Sequence, residues 1–284
     1  AAEYFKKIRS LVRYAGTCDG NMDQGSMRAD VNVSVRRPGE ELGTRTETKN
    51  VNSIRYVMQV VESEIRRQID VIEDGGRINQ ETRLFEVATG TTRTMRSKEE
   101  AHDYRYFPDP DLLPLEFSQQ FVDDLAKDMP ELSDAKKKRF ISDLHITPYN
   151  AGVLVAEKES ADYFEALLSA TVEKSEKPTS ELGSLVSNWV TGDLFGALNK
   201  LGIGITSSPV SISHAAELLS LQIDGTISGR IAKEVFENML ESGKSPEIIV
   251  EEKGLKQVSD TGEIEAMIDE ILANNVDKVE EYRG

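Results

Sequence analysis

The chain of 284 residues has a single cysteine, Cys18, and three histidines. One cysteine excludes an internal disulfide framework and a cysteine-built metal cage, and Cys18 reads as a small, inert side chain in a reducing, cytoplasmic setting. No apolar run approaches the roughly 18 residues that a membrane-spanning helix needs. P-loop, GxGxxG, HExxH and GxSxG patterns are all missing, and Gly202-Ile203-Gly204 is too short to replace any of them. There is no internal repeat and no low-complexity tract. A signal peptide is not expected either. Ala1-Ala2-Glu3-Tyr4-Phe5-Lys6 opens directly as a helix, and this start, like the end at Glu280-Glu281-Tyr282-Arg283-Gly284, reads as the edge of a fragment.

What is abundant is acid. The net charge is −16, which taken alone argues against nucleic acid as a partner. The imbalance is local, however. Up to Phe117 there are 18 basic and 20 acidic residues, and beyond it 16 and 30. Fourteen of the first 18 basic residues are arginine, against three of the later 16. Arginine is the side chain for bidentate phosphate and carboxylate contacts. The first segment therefore reads as the site, and the second as solvated helices.

Hydrophobic periodicity divides the chain the same way. Phe5, Ile8, Leu11 and Val12 predict a helix that ends at Gly16. Residues 27–36 alternate apolar and polar and predict a half-buried strand, Pro38-Gly39 a turn, and residues 44–50 a second strand, together a hairpin. A long helix is expected from about Ser53 to Asp74, with Ile54, Val57, Val61, Ile65, Ile69 and Ile72 as its buried stripe and Gly75-Gly76 as its stop. Residues 81–87 and 92–95 predict another hairpin. Beyond Phe117 the pattern is helical, near 119–128, 133–144, 159–171, 180–200, 211–223, 228–241, 245–252 and 262–273. The fold class is α+β: a mixed or antiparallel sheet-and-helix unit followed by an all-helical region.

The first hairpin carries the candidate chemistry. With its turn centred between residues 39 and 40, Asp30 lies opposite Lys49, Asn32 opposite Glu47 and Ser34 opposite Arg45. Asp30 and Glu47 become diagonal neighbours, about 7–8 Å apart at Cα. Two carboxylates at that spacing can share a hard divalent cation whose other ligands are waters or phosphate oxygens. Arg28, Arg45 and Lys49 on the same face can clamp phosphate. The same pattern also fits a water-facing strand pair whose charges pair across strands. Thr44, Thr46 and Thr48 are not strongly apolar, so neither face of the second strand is plainly core. In His102-Asp103-Tyr104-Arg105-Tyr106-Phe107, Arg105 can grip phosphate and Tyr104 or Tyr106 can stack on a base or ribose; a structural plug fits equally well. His102 reads as an ordinary hydrogen-bonded histidine. Lys136-Lys137-Lys138-Arg139 reads as a solvated helix face rather than an RNA contact.

Several blocks resemble those of one family. Gly25-Ser26-Met27-Arg28-Ala29-Asp30-Val31-Asn32-Val33-Ser34 is similar to its GSxRxDxNxS strand, and Glu47-Thr48-Lys49-Asn50-Val51-Asn52-Ser53 to its ExKNxNS junction. Gln80 to Arg83, Met95 to Glu99 and Asp103 to Asp111 follow in order, with Ser187-Asn188-Trp189 and Gly229 to Lys233 as looser matches. The chain resembles the GatB family, the B subunits of glutamyl/aspartyl-tRNA amidotransferases. The resemblance implies the C-terminal part of a cradle-shaped catalytic domain over 1–117, a helical domain over 118–252, and the start of a YqeY-like tail over 253–284.

It further implies a cytoplasmic, ATP- and Mg²⁺-using ligase that works in a heterotrimer with an amidase A subunit and a small C subunit on mischarged tRNA, with no role for membrane or DNA. Asp30 and Glu47 are then expected in the metal and ammonia-channel region, Glu47 and Lys49 at the chemistry, and Arg28, Asn32, Asn50, Arg105 and Tyr106 on phosphate or substrate. The family's N-terminal Glu and His near the metal are not in this sequence. A non-catalytic tRNA-binding or assembly module is the alternative, and a stand-alone Mg²⁺-dependent phosphotransferase a weaker one.

Overall fold

The structure is a computed structural model that describes residues 1–97, 111–256, 271–275, 278 and 282. The chain divides into two compact units, residues 1–135 and 136–284. The expectations for His102, Tyr104, Arg105, Tyr106 and Phe107, and most of the helix expected at 262–273, lie outside the described residues.

The first unit opens with helix α1 (Ala2–Tyr14) and then strands β1 (Ala29–Val33) and β2 (Thr46–Val51). These strands pair antiparallel with Asn32 opposite Glu47, the register that the turn residues imply. Helix α2 (Ile54–Glu73) crosses over to β3 (Glu81–Glu86), which lies parallel to β2; β4 (Thr91–Ser97) returns antiparallel. The sheet is mixed, in the order β1-β2-β3-β4. A parallel neighbour requires a crossover longer than a tight turn, and α2 supplies it. Ser53 caps α2 by accepting a hydrogen bond from the Tyr56 N–H, and Gly75, at φ +79°, ends it in a conformation that favours glycine.

The first strand is shorter than its alternation predicts, and the long helix buries a different stripe. Val57, Val60, Glu64 and Gln68 face the sheet, whereas Ile65, Ile69 and Ile72 stay 37–43% exposed. Thr46 and Thr48, expected on an ambiguous strand, are fully buried. The shifted stripe of the helix and the burial of Thr46 share one cause. The Glu64 carboxylate is buried against the sheet, where it takes a bidentate pair from Arg67, an ion pair of 2.9 Å from Arg83, and hydrogen bonds from Thr46, Thr92 and Gln68. Val31, Val33, Val51, Val57, Val60 and Phe85 form the apolar core around this polar cluster.

The remaining elements are helical: α3 (Gln119–Lys127), α4 (Ser133–Ser142), α5 (Pro148–Leu154), α6 (Lys158–Ser175), α7 (Thr179–Trp189), α8 (Phe195–Leu201), α9 (Ile212–Ile223), α10 (Gly229–Ser242) and α11 (Pro246–Lys253). A π-helical turn, Val190–Leu194, joins α7 to α8, and helix α5 escapes periodicity because it is only seven residues long. Phe140, Phe164, Leu167, Val186, Leu218 and Val235 are among the side chains of the second core. The basic run of α4 is not wholly solvated. Lys136 is buried and, with Arg139, pairs with Glu165 on α6. Among the described residues, no helix is long and apolar enough to cross a membrane.

Burial pushes the Glu64 carboxyl up, but hydrogen bonds from Arg67, Thr92 and Thr46 outweigh it and hold the group down at about 2, below the ordinary 4.5. A depressed folded value stabilises the fold above pH 4.5, and that stabilisation, about 3 kcal/mol, fades as the pH falls toward 2. Glu64→Ala leaves Arg67 without its carboxylate and Arg83 with that of Glu81 alone. It is expected to cost about 3–5 kcal/mol in urea unfolding at pH 7 and to flatten the loss of stability on acidification.

Candidate functional site

Strand alternation separates the chemistry of β2 into two layers. Thr46 and Thr48 point toward α2, so Glu47 and Lys49 emerge on the opposite face, which α2 does not cover. On β1, Val31 and Val33 are buried and Asn32, across from Glu47, is exposed. A bulge between Ala29 and Val31 interrupts the ladder at Asp30. It sets Asp30 alone against two residues of β2, Lys49 and Asn50, so the extra residue lies in β2, and the exposed side of β1 runs on through Asp30 to Arg28. Asp30 reaches Lys49.

The centre of the site is an ammonium held between two carboxylates. Lys49 Nζ lies 3.0 Å from Asp30 Oδ2 and 3.2 Å from Glu47 Oε1. The opposite oxygen of Glu47 accepts a hydrogen bond of 3.2 Å from Thr82 on β3. Asp30 raises the Lys49 pKa above the ordinary lysine value; burial opposes this, and Glu47 reinforces Asp30. Lys49 is therefore firmly cationic at neutral pH. The Asp30 and Lys49 side chains are 52% and 34% exposed and Glu47 18%, so the cluster is open to an incoming ligand.

The donor set fits part of a magnesium site. Both carboxylates already converge on one cationic atom, which shows that a single positive centre can engage the two together. Among the described residues, no group of three or more His, Cys, Asp or Glu side chains is placed to hold a metal ion. Asp30 and Glu47 can thus supply two ligands, and oxygens of water or phosphate must complete the shell.

The other expected residues are placed unequally. Arg28 and Arg45 are exposed and flank the strands, just before β1 and β2. Asn50 plays a local structural role. It adopts φ +66°, and its amide donates to the Phe85 carbonyl at 3.1 Å, tying the end of β2 to β3. Arg105 and Tyr106 lie outside the described residues. Sequence pattern does not single out Thr82, although it steers the Glu47 carboxylate. Only the parallel pairing of Glu47 with Thr82 brings it there.

Comparison with known proteins matches these strands to a family. Residues 1–123 fit the GatB/GatE catalytic domain, and residues 162–284 fit the GatB domain. This chain belongs to the GatB family. It is 59% identical over 284 residues to the B subunit of the aspartyl/glutamyl-tRNA(Asn/Gln) amidotransferase of Zymomonas mobilis, and 60% identical over 284 residues to the B subunit of the same name from Novosphingobium aromaticivorans. The corresponding protein of Methylobacterium radiotolerans is 57% identical over 279 residues. All or nearly all of this GatB-family chain is matched, but it spans only 57%, 57% and 55% of those three relatives.

The two roles on β2 are separable. Lys49→Met removes the resident ammonium, and Mn²⁺ titrated by paramagnetic relaxation is expected to bind about 10-fold more tightly than to the parent chain, an advantage that adding Asp30→Asn and Glu47→Gln abolishes. At Asn50, a β-branched side chain is strained at positive φ. Asn50→Val is expected to lose about 2 kcal/mol or more by thermal unfolding, and Asn50→Gly distinctly less.

Proposed function

We propose that this chain is part of the B subunit of an ATP-dependent, tRNA-dependent amidotransferase, and that the β1–β2 face belongs to its activation site. The observation that carries the reading is the convergence of Asp30, Glu47 and Lys49 on an exposed face of a sheet whose residues match the GatB/GatE catalytic domain. The substrates are Glu-tRNA(Gln), Asp-tRNA(Asn) or both. The partners are the amidase A subunit and the small C subunit, in a cytoplasmic heterotrimer. Residues 1–117 form the C-terminal part of the catalytic cradle, 118–252 a helical domain, and 253–284 the beginning of a YqeY-like tail.

The chemistry demands charge management. A side-chain carboxylate is a poor electrophile, so one of its oxygens first attacks the γ-phosphorus of ATP. The bond to the bridging oxygen breaks and ADP leaves. Ammonia then attacks the acyl carbon of the acyl phosphate, the C–O bond breaks, phosphate departs and a proton is lost to give the amide. Two anions must approach each other in the first step, and cations must neutralise the charge. Asp30 and Glu47 would hold Mg²⁺, which supplies that neutralisation to the phosphate oxygens when bound. Lys49 sits where it can exchange its carboxylate partners for a phosphate oxygen. Arg28 and Arg105 serve phosphate, and Asn32 and Tyr106 the substrate. Asn50 acts by holding β2 in place. Ammonia must arrive unprotonated, because ammonium has no lone pair to attack with.

One feature favours the non-catalytic alternative: Lys49 engages both carboxylates itself, as a purely structural ion pair does. The decisive assay is ATP-dependent amidation by the complete complex with each mischarged tRNA. Asp30→Ala and Glu47→Ala are each expected to lower the rate on the order of 10²-fold while tRNA binding persists. Unchanged amidation in both variants would assign the sheet to assembly instead.

A further inference from the structure

Thr82 and Arg83 are consecutive in β3, so their side chains leave the sheet on opposite faces, and each ends on a carboxylate. Arg83 reaches Glu64 on the α2 side at 2.9 Å, and it donates to the Thr92 hydroxyl and carbonyl, both at 2.8 Å, and to Thr94 at 3.1 Å. Thr82 reaches Glu47 on the other side, where its hydroxyl donates to Oε2 at 3.2 Å. The main chain beneath Thr82 is held at both edges as well, since it pairs with Glu47 on β2 and with Arg96 on β4. Thr82 is fully buried, so its hydroxyl cannot turn to bulk water, and among the described residues Glu47 is its one side-chain partner. A buried hydroxyl left without an acceptor is costly, which biases Glu47 toward the rotamer that meets it.

The two oxygens of Glu47 thereby receive different tasks. Oε2 accepts from Thr82, while Oε1 faces the cationic centre, occupied by Lys49 Nζ at 3.2 Å. A carboxylate held this way offers a metal one oxygen rather than a chelating pair. A Mg²⁺-sized ion demands a near-ideal octahedral shell, which the narrow bite of a chelating carboxylate distorts; Ca²⁺ accepts carboxylates in either mode. We propose that Thr82 is a positioning residue that sets metal selectivity: by holding Oε2 it makes Glu47 a one-oxygen ligand, which favours Mg²⁺-sized ions over Ca²⁺. The inference rests on the functional reading above, which brings the metal to Asp30 and Glu47.

The test measures Mn²⁺ by paramagnetic relaxation, and Ca²⁺ by competition against it, on the full chain carrying Lys49→Met, which removes the ammonium from between the carboxylates. Thr82→Val keeps the shape of the side chain and deletes its hydroxyl. It is expected to weaken Mn²⁺ binding by about 10-fold and Ca²⁺ binding by less than about 2-fold, and Thr82→Ser to restore the ratio of the two affinities. A hydroxyl with a merely structural role lowers both affinities alike or neither. Either result, with Asp30→Asn and Glu47→Gln still abolishing Mn²⁺ binding, overturns the inference and leaves the functional reading standing. So does a ratio that Thr82→Ser fails to restore. Mn²⁺ binding that is absent from the Lys49→Met chain, or that survives Asp30→Asn with Glu47→Gln, overturns the metal assignment in the functional reading and this inference with it. Where thermal melting shows Thr82→Val to be unfolded, Thr82→Ala takes its place and the same outcomes decide.

Discussion

The buried carboxylate of Glu64 is where the helix and the sheet of the first unit are joined. Arg67 comes from the same helix, Thr46 from β2, Arg83 from β3 and Thr92 from β4, so one side chain ties three strands to α2. A buried charge is costly unless its lone pairs are satisfied, and here basic and hydroxyl donors satisfy them. The cluster therefore imposes a geometry that apolar packing alone leaves loose. A slip of one residue in β2 would carry Thr46 away from Glu64 and turn every side chain of the strand to the other face.

That constraint reaches the opposite surface through the strand period of two. With Thr46 and Thr48 held inward, Glu47 and Lys49 must point outward, where Asp30 meets them across β1. The candidate site is thus the reverse side of a structural polar core. Its electrostatics differ accordingly. Glu64 is sealed and held strongly acidic, whereas Asp30 and Lys49 remain in contact with solvent and can trade partners. The same polarity appears on a shorter scale at Asn50, whose left-handed backbone and bond to Phe85 fix the end of the strand that presents Lys49.

Much of this is legible in residue order. Pro38-Gly39 places the first turn, and the register of Asn32 against Glu47 follows from it; Gly75-Gly76 and Ser53 bound α2; the blocks around Asp30 and Glu47 point to the family whose domains the chain matches. The buried stripe of α2 departs from its periodicity because a hydrophobic pattern ranks isoleucine above glutamate and glutamine. Ile65, Ile69 and Ile72 stand on a face that the sheet does not cover, and Glu64 and Gln68 take the buried one because Thr46 and Arg83 wait there. Neither partner is near in sequence, so no local window holds the information.

Residue order alone thus settles most local events: which segments are strands and helices, α5 excepted, where glycine, proline and serine stop or start them, and which acidic and basic residues share a hairpin. These depend on neighbours within a few positions or across one turn. Folding in three dimensions is what puts Lys49 between both carboxylates, lets Thr82 orient Glu47 and draws Lys136 into an ion pair with Glu165. Each of those outcomes depends on elements far apart in the chain coming together, and burial and distance exist only once they have.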